Sequence, residues 1–133
     1  MIPTYLASLN DAQRLDMQGL LQMVQTIFPN QQPTFFDGKN KEGKVVTNPS
    51  IGFGSYLHRY ADGREAQMYR LGLSANAKGF SLYLLDLPDR KILKEKFEHR
   101  VGKAKVTGYC IQFKKLLDLD QQVLKEIIEF GLN

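Results

Sequence analysis

Apolar and polar residues alternate with a period of two over Ile51–Tyr60 and again over Gln67–Ser74, with Ala61-Asp62-Gly63 between the two runs. That pattern predicts two antiparallel strands joined by a tight loop. Loop length sets the register, because a slip of one residue sends every side chain to the opposite face. A two-residue Asp62-Gly63 turn pairs Phe53 with Gly72 and Gly54 with Leu71, mixing apolar and glycine positions on both faces. A three-residue loop, with Gly63 in the left-handed position of a bulge, pairs Tyr60 with Arg64, Phe53 with Leu71 and Ile51 with Leu73. One face then reads Ile51, Phe53, Ser55 and Leu57 against Gln67, Tyr69, Leu71 and Leu73. That face is coherent and mostly apolar, so the bulged hairpin is the expected structure.

The opposite face follows from that choice. It carries Gly52, Gly54, Tyr56, His58 and Tyr60 against Ala66, Met68, Arg70 and Gly72, with Arg64 opposite Tyr60 at the loop end. Three glycines form a shallow floor there, with tyrosines, a histidine and arginines around it. Glycine weakens a strand, so its presence marks a bulge or the close approach of a backbone or ligand. The commoner reason is a helix packed over the glycines. The functional one makes Gly52, Gly54, Tyr56, His58, Tyr60, Arg64, Arg70 and Gly72 a candidate ligand-binding face.

Elsewhere the pattern switches to helical spacing. Met17, Leu20, Leu21, Val24, Ile27 and Phe28 repeat as one buried stripe, predicting a helix over Asp11–Phe28. Asn10 with Gln13 resembles a capping box, and Pro29 ends the helix. Residues 29–50 read as loop, with short extended pieces at Thr34–Phe36 and Lys44–Thr47. A third strand enters through Asn76-Ala77-Lys78-Gly79 and places Phe80, Leu82 and Leu84 on one face. Pro88 suits the first turn of a helix over Pro88–Glu98 that buries Ile92, Leu93 and Phe97. A strand at Tyr109–Lys114 follows. The last helix, capped by Asp118 and Gln121, has a stripe of Val123, Leu124, Ile127 and Ile128 and a C-cap at Gly131. This order predicts one α+β domain over residues 1–133: an antiparallel sheet, made of a central three-strand meander and a later strand, packed with N-terminal, middle and C-terminal helices.

Composition changes this picture little. With 43% hydrophobic and 24% charged residues, the chain has the make-up of an ordinary globular protein. No apolar run approaches the length of a membrane span, and the start, Met1-Ile2-Pro3-Thr4-Tyr5-Leu6, lacks the basic and apolar segments of a signal peptide. One cysteine, Cys110, leaves no internal disulfide and suits a reducing cytoplasm.

Candidate chemistry is sparse. A nucleophile needs a base in reach, and nothing in the sequence brings His58 to Cys110, so catalysis is not expected. His58 and His99 lack metal-ligand spacing. Hard cations accept carboxylates, which occur as Asp86 with Asp89, Glu95 with Glu98, Asp118 with Asp120 and Glu126 with Glu129. Lysines interleave with them, as on an ordinary solvated surface. The formal charge of +4 is modest, and Tyr56, Tyr60 and Tyr69 stack bases only if exposed, so nucleic acid ranks low among partners.

Ile51-Gly52-Phe53-Gly54-Ser55-Tyr56, Tyr60, Gly63-Arg64-Glu65, Gly72 and Leu82-Tyr83 resemble the pattern of the YdhG-like domains. So do Gly102-Lys103, Lys105, Cys110, Lys114, Leu116, Asp118 and Asp120, and the likeness extends from Tyr5-Leu6-Ala7-Ser8-Leu9 to the last helix. These are family-wide positions, not a catalytic signature. The family is largely a domain of unknown function, with one branch described as a frataxin-like intracellular iron chaperone. The resemblance therefore implies a cytoplasmic binding module and brings iron in as a ligand. Two positions depart from the pattern. Asn76-Ala77 stand where relatives often have Arg-Lys, leaving only Lys78, and Thr107-Gly108 stand where many have Gly-Lys. An anion-holding role at those positions does not carry over by resemblance. The expected function is a non-enzymatic module that binds a small ligand or a metal ion. The rival is a structural or protein-interaction domain.

Overall fold

In the computed structural model, which describes residues 1–133, Ile51 pairs with Leu73 and Phe53 with Leu71. That is the register of the bulged hairpin. At its far end Tyr60 donates its N–H to the Arg64 carbonyl, and Gly63 has φ +90°. The two long strands nevertheless do not run unbroken. They divide into β2 (Ser50–Phe53) and β3 (Tyr56–Arg59) on one side, and β4 (Glu65–Met68) and β5 (Leu71–Asn76) on the other. The break on the first side is Gly54, whose φ of +71° lies in the left-handed region that a regular strand never uses. β3 and β4 form a separate two-stranded hairpin.

β2 and β5 join a six-stranded antiparallel sheet completed by β1 (Thr34–Phe36), β6 (Gly79–Leu84), β7 (Lys105–Val106) and β8 (Cys110–Phe113), in the order β1-β2-β5-β6-β8-β7. One face carries the core. Ile51, Phe53, Leu71, Leu73, Leu82, Leu84 and Ile111 are all buried there. Each contributes about 1.5–3 kcal/mol by leaving water. Phe80 sits opposite Phe113 with their rings stacked.

Three of the four helices follow the expected stripes. α1 (Ile2–Ser8) precedes α2 (Asp11–Ile27), whose N-terminus is capped by Asn10 accepting from the Gln13 N–H at 2.8 Å. Met17, Leu20 and Val24 of α2 and Val123, Leu124, Ile127 and Ile128 of α4 (Gln121–Leu132) enter the same core. α3 is only Ile92–Phe97, so Pro88 lies in the turn before it and not in its first helical turn. At the last helix the cap is Asp120, which accepts from the N–H groups of Gln122 and Val123. Gly131 lies inside that helix and close to Leu84 and Leu71, so it is a packing position and not a C-cap. The expected extended piece at Lys44–Thr47 is reduced to one bridge between Lys39 and Val45. β7, α1 and a short 3-10 turn at Leu116–Asp118 are elements that periodicity alone did not reveal.

No helix is long and apolar enough to cross a membrane.

Candidate functional site

The glycine floor exists, but it is occupied. Gly52 and Gly72 face each other across β2 and β5, and the ring of Tyr69 lies over both. A Cβ added to Gly52 would stand 2.6 Å from Tyr69 Cβ, and one added to Gly72 would meet the far edge of the same ring. Tyr69 is therefore on the glycine face and not on the core face that its alternation with Leu71 and Leu73 predicts. Only 7% of it is exposed, and Phe36 packs edge-on against its ring at 5.0 Å. Ser50 Oγ donates to its hydroxyl at 3.4 Å. Burial pushes the Tyr69 phenol above its ordinary value, with the Ser50 contact acting the other way. The cover is thus a tyrosine of the same hairpin, not a helix, and no ligand space remains above Gly52 and Gly72. Gly54 does not share that floor. It sits at the strand break, where an added Cβ would come 3.1 Å from Leu132 Cδ2.

The other predicted residues gather on the small hairpin. Tyr56, His58 and Tyr60 form an edge-to-face ladder, with ring centroids 5.8 Å and 4.6 Å apart. Tyr56 Oη and His58 Nδ1 share a hydrogen bond of 3.1 Å. Arg64 lies 5.0 Å from the Tyr60 ring centroid and 2.6 Å from an Asp62 carboxylate oxygen. Arg70, just before β5, turns elsewhere. Its Nη2 donates to the Asn133 carbonyl at 3.1 Å, and its Nε is 3.7 Å from Asp86. That Nε is buried and makes no hydrogen bond. The Tyr56 phenol is pushed up, first by burial and then by the charge of Asp86. The eight predicted residues thus occupy four places: Gly52 and Gly72 beneath Tyr69, Gly54 at the strand break against Leu132, Tyr56, His58, Tyr60 and Arg64 on the ladder, and Arg70 beside Asp86.

A different part of the sheet is open. In the register of the pairs, Ser74 faces Ser81 and Ser81 faces Gln112, so these side chains share the face opposite the core. At the end of β5, β6 and β8 that face opens into a cleft of about 560 Å³ lined by Asn48, Asn76, Lys78, Ser81, Gln112 and Lys114, among others. Asn76 shapes the turn by accepting from the Lys78 N–H at 2.8 Å. None of the lining residues is acidic, and neither Lys78 nor Lys114 enters an ion pair. The size falls within the usual range of small-molecule sites. The polar alternation of Ser74, Asn76, Ser81 and Gln112 is visible in the sequence, but their adjacency depends on which strands become neighbours.

Catalytic and metal chemistry find no support in this arrangement. Cys110 lies in β8 beside Ser81 and Gln112, and burial raises its thiol above the ordinary value. A thiol held protonated is a poor nucleophile. His58 belongs to the separate hairpin. No group of three or more His, Cys, Asp or Glu side chains gathers. The carboxylates instead meet cations, Glu98 with Lys94, Glu126 with Arg100 and Asp86 with Arg70. This donor set does not fit a bound iron ion. Compared with protein-family models, with curated proteins and with solved structures, the chain gives no match in any of the three.

Proposed function

We propose that this protein is a non-enzymatic binding module for a small anionic ligand, held in the cleft between Lys78 and Lys114. The observation that carries the reading is the charge of that cleft. Two unpaired ammonium groups and neutral hydrogen-bonding side chains line it, with no carboxylate among them. Unneutralised lysines on a concave surface focus a positive potential and raise the local concentration of anions. The second cleft, about 480 Å³, lacks this property, because Glu126 and Glu129 stand against Lys96 and Arg100 there. The iron expected from the YdhG-like resemblance gains nothing from the carboxylate positions, so anion binding replaces metal handling in this reading. A cytoplasmic setting remains part of it, supported by one unpaired, buried cysteine.

A thermal-shift series with inorganic phosphate, tripolyphosphate and small carboxylates tests the site. A ligand that binds only the folded state raises the melting temperature in proportion to its occupancy. Anions should raise it in wild type and not in Lys78→Glu/Lys114→Glu. Equal shifts in both proteins would move the site elsewhere. The rival reading, a protein-interaction domain, draws on the β3–β4 hairpin, where Leu57 is 51% exposed and Tyr60 40%. Absence of any anion shift together with a partner mapped to Leu57 would favour that rival.

A further inference from the structure

Tyr83 and Tyr109 stand ring over ring at the other end of the same sheet face. Their centroids are 6.2 Å apart and their planes differ by 12°. Tyr83 pairs with Cys110 across β6 and β8, which places it on the face of Ser81 and Gln112. Tyr109, just before β8, is 57% exposed. Covering Cys110 accounts for Tyr83, but it leaves most of the Tyr109 ring in water.

Between this pair and the cleft lie neutral groups and one more cation. Lys105 pairs with Gln112 at the sheet edge and so projects from the same face. It too enters no ion pair. From Tyr83 back to Lys78 is about 16 Å of extended chain. Over that distance the face presents stacked aromatic rings, then Gln112 beside the buried Ser81, then Lys105, Lys114 and Lys78. None of the six strands of this sheet contains an aspartate or glutamate.

We infer that this face binds single-stranded nucleic acid, with an unpaired base stacked on Tyr109 and the phosphates passing Lys105 toward Lys114 and Lys78. Bases offer their flat faces to a protein only when unpaired, and exposed aromatics on an open sheet are the surfaces that stack them. Lysines along the path neutralise phosphates and release condensed counterions. A free anion would engage the lysines and ignore the tyrosines, and a duplex would hide its base faces. The low expectation for nucleic acid rested on the modest charge of +4 and on Tyr56, Tyr60 and Tyr69, whereas the Tyr83–Tyr109 pair forms only when β6 and β8 meet. The inference rests on the anion-binding reading above and adds the ligand class.

Fluorescence anisotropy of a labelled oligothymidylate of about ten nucleotides, at low salt, tests it beside the tripolyphosphate thermal shift. The oligomer should bind, weaken with added salt, and be displaced about ten-fold less well by duplex than by single strand. Tyr109→Ala should weaken oligomer binding about ten-fold and leave the tripolyphosphate shift unchanged, while Tyr109→Phe should bind as wild type. Lys105→Glu should lower affinity and flatten the salt dependence. If Tyr109→Ala melts early, Tyr109→Leu replaces it, since it keeps an apolar side chain against Tyr83 without a planar ring. Wild-type binding in the variant that lacks the ring, or equal competition by duplex, overturns the inference and leaves the anion site standing. A tripolyphosphate shift with no oligomer binding does the same. Loss of both signals in wild type removes both readings.

Discussion

The ring of Tyr69 fills the space that a side chain at Gly72 would occupy. The glycine therefore serves the packing of a tyrosine from its own hairpin, and the hydroxyl of that tyrosine reaches Ser50 on the neighbouring strand.

Gly72→Ala should destabilise the fold, because a buried ring cannot yield to a new Cβ without disturbing its other contacts. The expected cost is about 1–3 kcal/mol, read from urea denaturation. In the Tyr69→Ala background the same change should cost much less, giving a clear coupling energy in the double-mutant cycle. Additive effects would show that the two residues do not share that space.

Gly54→Val should also destabilise, but for a backbone reason. At φ +71° a β-branched residue is strained, by about 1–2 kcal/mol, and its side chain would press on Leu132. Gly54→Asn should lose less, since asparagine visits the left-handed region more readily. Equal losses for the two variants would point to the Leu132 contact instead of the backbone.

Asp120 accepts two backbone N–H groups at the start of α4, each at 3.0 Å. Asp120→Ala should cost about 1 kcal/mol, and Asp120→Asn should retain most of the stability. Thermal melts of the three proteins check this. An alanine variant as stable as wild type would mean that solvent satisfies those groups equally well.

Stability should fall on the alkaline side. The Cys110 thiol and the Tyr69 phenol are raised by burial above ordinary values of 9.0 and 10.0. Below those values both groups are protonated in folded and unfolded chains alike. As pH rises past them the unfolded chain ionises first, so stability is lost until the folded groups ionise in turn. Cys110→Ala should flatten the earlier part of this loss and Tyr69→Phe the later part, measured as urea midpoints at pH values from about 8 to 11. At neutral pH a thiol reagent should label Cys110 slowly and at the rate of opening, because only 3% of the residue is exposed.

The hairpin register was legible because it follows from local alternation and from Gly63. Of the two loop lengths, the three-residue one that sets Ile51 opposite Leu73 puts the apolar residues of both strands on one side. The α2 cap at Asn10 and the stripes of α2 and α4 were legible for the same reason, since each spans a few consecutive turns. The candidate site was much less so. Tyr56, His58 and Tyr60 do line one face as alternation requires, but Tyr69 and Gly54 leave their expected places because the chain turns at Gly54 and again before Leu71. Alternation carries no sign of such a break when glycine and an aromatic residue are each acceptable in a strand.

Sequence alone determined the apolar stripes of α2 and α4, the alternation of β2, β5 and β6, and how Ile51–Phe53 aligns with Leu71–Leu73. Only the tertiary structure decided that Tyr69 covers Gly52 and Gly72, that Ser81 meets Gln112, and that Lys78 and Lys114 share one cleft with no carboxylate. The physical reason is range. Periodicity reports the surroundings of a residue through its near neighbours in the chain, whereas the pairing of β6 with β8 joins segments separated by α3 and β7, and the gain in burying both their apolar faces against α2 and α4 selects that partnership.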